Sequence, residues 1–430
     1  MKRLIKEVFN FRDKMKFLNL SCFLIAIILL ERLLLQFREG FKKESWNISE
    51  FLINYEGGFV RRGFLGELIL ILNQKFGLSP YYFIIGISLI SFSILILFLF
   101  KKFKENGLSI FLLLTVVLLG NPILNNFVIR KDIILLLIFI LCLKIYSKNI
   151  RYSFIWINFF LIISILIHEA SFFFSVGIFY LLFFKREKQN NFFVKSCFSF
   201  FKLSPIIVVF ILVSLNKGNS IISSEIWDSW SKVHFPFQEN NNEYPPAAIG
   251  AISLSLKQGL YYSKSLLYNF NDGIYAPIAW VLIILMTYFV LTNLKEFTIR
   301  KISNNYFYAL NKTSISSILL FQLIVLIPLF ILGWDYSRWL FYWVISSLSI
   351  IFLIKSNDLH SIFSTSFISL VVKFNFILSR IFFKKNLLFY LFIIGIPSYS
   401  WNIKSYINTT GVYIIIEFIS KIIKKIFFLF

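Results

Sequence analysis

Four short groups of ionisable residues interrupt a chain that is otherwise mostly apolar, and each has side chains that could do chemistry. In order along the chain they supply Glu56, Gly57, Gly58, Arg61 and Arg62; Arg130, Lys131 and Asp132; His168 and Glu169; and Asp335 and Arg338. Adjacent arginines donate paired hydrogen bonds to phosphate oxygens, and glycine backbone amides can approach an anion closely. A histidine or a carboxylate can take the proton of a hydroxyl group. These residue types therefore predict a polyanion-binding site with an acid–base group.

Each group also has an ordinary structural interpretation. The glycine-rich stretch could be a turn before an interfacial helix whose arginines reach lipid phosphates. The run 130–132 could be a local ion pair at a helix end, and His168 a satisfied polar residue at a helix break. Asp335 and Arg338, three residues apart, could pair with each other on a helix turn. The functional interpretation holds only if the four groups share one cleft.

The composition requires these groups to be positioned by membrane helices. Of the 430 residues, 58% are hydrophobic and 15% are charged, whereas soluble domains are about 25% charged. Several uninterrupted apolar runs approach the ~20 residues that cross a bilayer, and they do not alternate as the strands of a membrane β-barrel do. We therefore predict an all-α polytopic membrane protein with about 11–12 transmembrane helices, forming a single domain over residues 1–430.

The apolar runs give the predicted order of spans along the chain. The spans are residues 17–34, 81–100, 108–124, 132–146, 153–167, 169–184, 197–215, 274–292, 315–332, 338–354 and 387–403. Residues 361–379 are predicted to lie in the interface or to re-enter the membrane. Residues 412–430 are predicted to form either a further span or a basic amphipathic surface helix. The polar segment 217–272 is predicted to be one large external loop.

The distribution of positive charge predicts the orientation of these spans. The net charge of +23 is explained by lysines and arginines that gather in the cytoplasmic loops, so we expect no nucleic-acid partner. The distribution places the N-terminus in the cytoplasm and all four ionisable groups on the outer face with the loop 217–272. This orientation requires two spans that turn near His168.

The sequence lacks the common signatures of cofactor sites. The three cysteines, Cys22, Cys142 and Cys197, lie in or beside apolar spans without metal-ligand spacing, which predicts neither a metal site nor a disulfide framework. No P-loop or dinucleotide-binding pattern is present. We therefore expect no metal and no nucleotide cofactor.

The same residues resemble a known family. EGGFVRRGFLGE, IRKD at the start of a span, HE in a long apolar run, a large outer loop and GWDYSRW resemble bacterial O-antigen and capsular polysaccharide polymerases of the Wzy type. The resemblance implies a glycosyltransferase of the bacterial inner (plasma) membrane, active in lipopolysaccharide or capsule biosynthesis. Such an enzyme moves a glycan from undecaprenyl pyrophosphate to the next lipid-linked oligosaccharide on the periplasmic side. A chain-length regulator protein would be a candidate partner.

The resemblance assigns some roles and the residues leave others open. It implies that Arg61, Arg62 and Arg130 bind the diphosphate and that His168 is the base. By residue type alone, the base stays open among His168, Glu169, Asp335 and Glu56. Two alternative functions also stay open. One is a GT-C glycosyltransferase that uses a polyprenyl-phosphate sugar, with Glu56 as base and a divalent metal. The other is a flippase or transporter of lipid-linked glycans.

Overall fold

The computed structural model describes residues 19–36, 45–236, 245–255, 257–261, 265, 275–299, 310–397, 403 and 405–427. Within these ranges the chain is built of helices, with a single isolated β-bridge between Leu108 and Thr298. The predicted cytoplasmic N-terminal segment lies outside the described residues, as does about a third of the predicted loop 217–272. The all-α fold class is confirmed.

The main α-helical segments follow one another along the described chain. They are α1 (Asn19–Gln36), α2 (Ser45–Phe51), α3 (Gly63–Phe76), α4 (Pro80–Glu105), α5 (Asn121–Leu124), α6 (Asp132–Ser147), α7 (Ser153–Ile167), α8 (Ala170–Arg186), α9 (Phe192–Leu215), α10 (Ser220–Asp228), α11 (Ala247–Gly250), α12 (Tyr275–Thr292), α13 (Lys312–Leu332), α14 (Tyr336–Leu353), α15 (Ser356–His360), α16 (Thr365–Ile381), α17 (Leu387–Ile393), α18 (Tyr406–Thr409) and α19 (Gly411–Phe427).

Six of the described helices are long and apolar enough to cross a membrane: α1, α4, α9, α12, α13 and α14. A seventh span is possible if α16 continues through a 71° bend into Lys384–Ile393. The helices at the predicted spans 132–146, 153–167 and 169–184 have only 16, 15 and 17 residues, below the ~20 expected for a full crossing. The multi-pass membrane class is confirmed, whereas by helix length the described chain supplies fewer spans than the predicted number.

The predicted span 108–124 is not one helix. It consists of a 3-10 helix at Ile110–Leu114, a π-helical turn at Val116–Gly120 and the short α5. Thr115 is extended, with φ −73° and ψ 157°, and Leu118 also leaves helical geometry. The π-helical turn is tight, because the Gly120 amide donates to the Thr115 carbonyl oxygen at 3.1 Å and a Cβ at Gly120 would lie 2.9 Å from that oxygen.

The two segments left open by the sequence both contain helices. The predicted interfacial segment 361–379 corresponds to α16, whose only buried residues are Val371 and Leu378. The predicted segment 412–430 corresponds to α19 over its described part. This helix is tied to α1 by an ion pair of 3.3 Å between Arg32 and Glu417.

The helices α6, α7 and α8 run up, down and up again. Tyr146 in the last turn of α6 donates a hydrogen bond to the Leu182 carbonyl near the end of α8, so these two helices run in parallel. Between α7 and α8 the backbone of His168 is extended, with φ −165° and ψ 126°. The chain therefore turns at His168, as the charge pattern predicts.

Four helices begin at the same end of the bundle, and each begins after a charged residue. The residues that precede α3, α6, α8 and α14 are Arg62, Lys131, Glu169 and Asp335. Helix N-termini carry a partial positive charge and unpaired backbone N–H groups. All four groups found in the sequence are thus placed together by helix starts at an end that favours anions.

Candidate functional site

A cavity of about 370 Å³ lies where these helices begin. Its cationic lining consists of Arg61, Arg62, Arg130, Lys217 and Arg338, and His168 also lines it. Three tryptophans, Trp46, Trp334 and Trp339, and the carboxylate of Asp335 also line it. The structure therefore brings residues from all four groups into one cavity.

Arg62 is held from two directions. Its guanidinium binds the Glu169 carboxylate with both ends, at 3.0 Å from Nε to Oε2 and 2.5 Å from Nη2 to Oε1. Its backbone has φ 68°, a left-handed conformation that is costly for any residue with a side chain. Lys131 Nζ donates a hydrogen bond of 2.9 Å to the Arg62 carbonyl and supports this conformation.

Glu50 of α2 is the centre of the charged cluster, although the sequence did not mark it as a member of the four groups. Its side chain is 1% exposed and lies 3.4 Å from Arg130, 3.6 Å from Arg62 and 3.4 Å from His168 Nε2. Burial by itself raises the pKa of this carboxyl. The His168 imidazole and the guanidinium charges nearby outweigh burial and hold the pKa well below its ordinary value of 4.5. Glu50 is therefore an ionised counter-charge for the arginines.

His168 is buried, and both of its ring nitrogens already face protein groups. Nδ1 accepts a hydrogen bond of 3.1 Å from the Ala170 amide, and Nε2 faces Glu50. A general base needs a free nitrogen within reach of the hydroxyl proton. In this arrangement His168 orients Glu50 and the start of α8.

Arg338 is fixed by two carboxylates. It binds Asp132 at 3.0 Å from Nε to Oδ2 and 2.9 Å from Nη2 to Oδ1, and its Nη1 lies 2.7 Å from Asp335 Oδ2. The Tyr342 hydroxyl also donates to Asp132. The Asp335 side chain is 25% exposed, whereas Arg338 and Asp132 are nearly fully buried.

Several residues expected at the site lie outside the cavity lining. Lys131 and Asp132 are buried behind it, where they hold Arg62 and Arg338. Glu169 is engaged by Arg62, and Glu56 is exposed on the adjacent loop. These placements leave Asp335 as the carboxylate that lines the cavity, among the residues that the structure describes.

The two adjacent glycines serve a tight turn and not the cavity. The Gly58 amide donates to the Tyr55 carbonyl at 2.9 Å, and Gly58 has φ +105°. A Cβ at Gly57 would lie 2.9 Å from the Ile222 carbonyl oxygen, so α10 packs directly on this glycine. The turn positions the arginines that follow it.

Sequence reasoning missed the residues that the segment after α9 contributes to the cavity. Lys217 lies two residues beyond the end of α9, and Leu254, Ser255 and Leu260 of the following segment also line the cavity. Lys217 had no acidic or basic neighbour to mark it. For Glu50 a signal existed, since it is the lone carboxylate in SWNISEF between two large aromatic residues.

The cavity has two chemically different sides. The arginine side consists of Arg61, Arg62, Arg130 and Lys217. The three arginines face the carboxylates of Glu50 and Glu169, so four cations stand against two carboxylates and the charge of this side is positive. The turn side consists of Gly333, Trp334, Asp335 and Trp339, around an Arg338 that is shared by Asp132 and Asp335. One side can bind an anion, and the other offers a carboxylate and indole groups.

Comparison of the chain with protein-family models, curated proteins and solved structures finds no match. The proposed function therefore rests on the geometry of the site. Within the described residues, no three histidine, cysteine, aspartate or glutamate side chains are placed to hold a metal ion together.

Proposed function

We propose that the protein is a membrane glycosyltransferase that joins undecaprenyl-pyrophosphate-linked oligosaccharide repeat units, as polymerases of O-antigen or capsule do. We place it in a bacterial plasma membrane with the N-terminus in the cytoplasm and the cavity on the periplasmic face. The distribution of lysine and arginine along the chain favours this orientation.

The observation that carries the proposal is a cation-rich cavity at the end of an apolar helix bundle. Leu332, the last residue of the candidate span α13, lines this cavity and is 49% exposed. A ligand can therefore place a charged head among the arginines while its apolar tail stays beside the helices. A lipid-linked pyrophosphate has this combination, and its oxygens match the planar forks of arginine.

Arg61 is the arginine most available to such a ligand. Its contact with Glu169 is long, at 3.9 Å, and its side chain is 25% exposed. The other three arginines have closer carboxylate partners. In the reaction Arg61 would stabilise the charge that develops on the departing pyrophosphate.

In the proposed reaction Asp335 accepts the proton of the attacking hydroxyl. Its Oδ2 is bound to Arg338, and its side chain lines the cavity. The acceptor oxygen would give its proton to Asp335 and bond to the anomeric carbon. The bond from that carbon to the pyrophosphate oxygen would break, and its electron pair would leave with undecaprenyl pyrophosphate.

The proposal is tested by substituting the cavity arginines in the native host. Arg61→Ala, Arg62→Ala and Arg130→Ala should each abolish long-chain glycan on gels while single repeat units stay on the lipid carrier. Arg380→Ala is the control, since Arg380 lies exposed on α16 away from the cavity. Unchanged glycan ladders in all three cavity variants would refute the function.

A second candidate is favoured by Glu50. This carboxylate belongs to the charged cluster and lies in the segment between the first two predicted spans. GT-C enzymes that use a polyprenyl-phosphate sugar place acidic groups in the corresponding segment. Such an enzyme could require a divalent metal. Loss of glycan transfer by the purified protein in the presence of a chelator, with recovery on adding a divalent cation, would favour this candidate.

A further inference from the structure

We propose that the turn side of the cavity binds a saccharide hydroxyl, so that the acceptor sugar lies against Gly333, Asp335 and Trp339 while the donor pyrophosphate lies against the arginine side. This inference rests on the proposed function and assigns its two substrates to opposite sides of one cavity.

The first observation is an unsatisfied donor. Trp339 lines the cavity with only 6% of its surface exposed, and its indole Nε1 has no hydrogen-bond partner among the described residues. A buried donor without an acceptor is unfavourable and rare in folded proteins. A ligand oxygen at this place would satisfy it.

The second observation is the glycine beside this donor. Gly333 also lines the cavity, and a Cβ built on it would lie 3.4 Å from Trp339 Nε1 and 3.2 Å from Cζ2. Glycine at position 333 therefore leaves room for a ligand atom beside the indole edge, whose Nε1 is itself enclosed in the structure. Any larger residue would occupy the space that a ligand atom needs.

The indole ring of Trp339 is held in place by its neighbours, so a ligand could contact it only at its edge. The Arg338 guanidinium carbon lies 5.2 Å from the Trp339 ring centre, and the Tyr342 ring stacks on Trp339 with centres 5.8 Å apart. Both neighbours are themselves fixed by Asp132. The ligand meets a rigid N–H donor.

The chemistry of this side selects a hydroxyl over a phosphate. A sugar hydroxyl both accepts and donates, so it can accept from Trp339 and donate to the Asp335 carboxylate. A phosphate oxygen only accepts, and a nearby carboxylate repels it. Two carboxylates share one guanidinium on the turn side, whereas cations outnumber carboxylates on the arginine side. The two substrates are thereby separated by charge.

The test measures sugar and pyrophosphate binding separately on the full-length protein in lipid nanodiscs. The probes are inorganic pyrophosphate, read by calorimetry, and the methyl glycosides of galactose, N-acetylglucosamine and rhamnose, read by saturation-transfer NMR. Trp339→Phe keeps the ring and removes the donor, so it should weaken binding of the recognised glycoside about fivefold and leave pyrophosphate binding unchanged. Arg61→Ala should do the reverse.

Two further variants control this experiment. Trp156→Phe changes an exposed tryptophan of α7 and should change neither affinity. Gly333→Ala retains Trp339 but places a methyl group in front of its edge, so it should reproduce the glycoside-selective loss even if Trp339→Phe folds poorly.

Weaker pyrophosphate binding by Trp339→Phe, or a wild type that binds none of the three glycosides, would overturn this inference. Neither result would contradict the proposed function, because the glycan ladders of the arginine variants test that function separately. Retained ladders together with glycoside binding at Trp339 would instead refute the function and leave a saccharide site.

Discussion

Arg62 and Glu169 are 107 positions apart in the chain, and Arg338 and Asp132 are 206 apart, yet each pair forms a two-pronged ion pair. The residue types in these groups could be recognised from the sequence because charge is costly in an apolar chain. The pairing of these charges could not be recognised from the sequence, because most of the ion-pair partners are far apart along the chain. Arg338 pairs with nearby Asp335 as its spacing predicts, but also with distant Asp132.

The network of ion pairs also distinguishes residues that line the cavity from buried residues that support them. Lys131 and Asp132 have the same residue types as the cavity-lining groups, and the sequence assigned them to substrate binding. Burial gives them another role, because they hold the binding residues Arg62 and Arg338 from behind the cavity. Burial behind a cavity is a property of packing and has no signature in a run of three charged residues.

Glu50 provides a prediction at the scale of one residue. Glu50→Gln removes the ionised partner of Arg130 and Arg62 and should destabilise the protein by about 3 kcal/mol. Because the folded-state pKa of Glu50 is lowered, its contribution is present above 4.5 and is lost as the pH falls through the lower folded-state value. The melting temperature of the variant in detergent should therefore lie below that of the wild type by a constant amount from about pH 8 to pH 5.

The matched control is Glu105→Gln, at the end of α4, where the carboxylate is 40% exposed and pairs with surface lysines. It should change the melting temperature little, because exposed ion pairs contribute little. A Glu50→Gln deficit that already disappears near pH 6 would contradict the lowered pKa.

At the scale of elements, helix starts explain why the site exists. The sequence predicts where several helices begin, and the turn at His168 follows from the charge pattern. The irregular segment 108–124 was predicted as a continuous span because its composition is apolar throughout. Its break consists of the extended Thr115 and the π-turn hydrogen bond from the Gly120 amide to the Thr115 carbonyl oxygen, and neither feature follows from residue hydropathy.

Gly66 gives the prediction at this scale. A Cβ at Gly66 would lie 1.9 Å from the Ile53 carbonyl oxygen and 2.5 Å from its carbon, so the first turn of α3 packs directly on the preceding backbone. Gly66→Ala should force α3 away and displace Arg62 at its start. We expect a lower melting temperature and a loss of pyrophosphate binding.

Gly86 on α4 is the control, since nothing lies within 4 Å of the position its Cβ would take. Gly86→Ala should preserve binding and be neutral or stabilising, because alanine favours a helix by up to about 1 kcal/mol over glycine. Equal behaviour of the two variants would show that the contact at Gly66 does not position the site.

At the scale of the whole molecule, the charge distribution predicts the side of the membrane on which the cavity opens. Phe59 lies at the cavity end and is 46% exposed, and Lys148 is exposed at the opposite end of α6. In a Cys197→Ser background, which removes the exposed native thiol, Phe59→Cys should react with a membrane-impermeant maleimide added to intact cells. Lys148→Cys should react only after lysis.

Labelling of both positions from the same side would contradict the proposed threading. Reaction of Lys148→Cys alone in intact cells would place the cavity in the cytoplasm and remove the periplasmic polymerase from consideration. The buried Cys22 and Cys142 should stay unlabelled in every variant and serve as an internal control.

The four helix starts around the cavity also determine which changes in chain length the protein can accept. An inserted residue inside α6, α8 or α14 turns everything beyond it by about 100° but leaves the helix start, and hence the charged residue before it, in place. Insertions and deletions should therefore accumulate toward the far ends of these helices and in the connections there. Among diverging descendants of this chain, the four charged starts would keep their geometry while the opposite end of the bundle drifts in length.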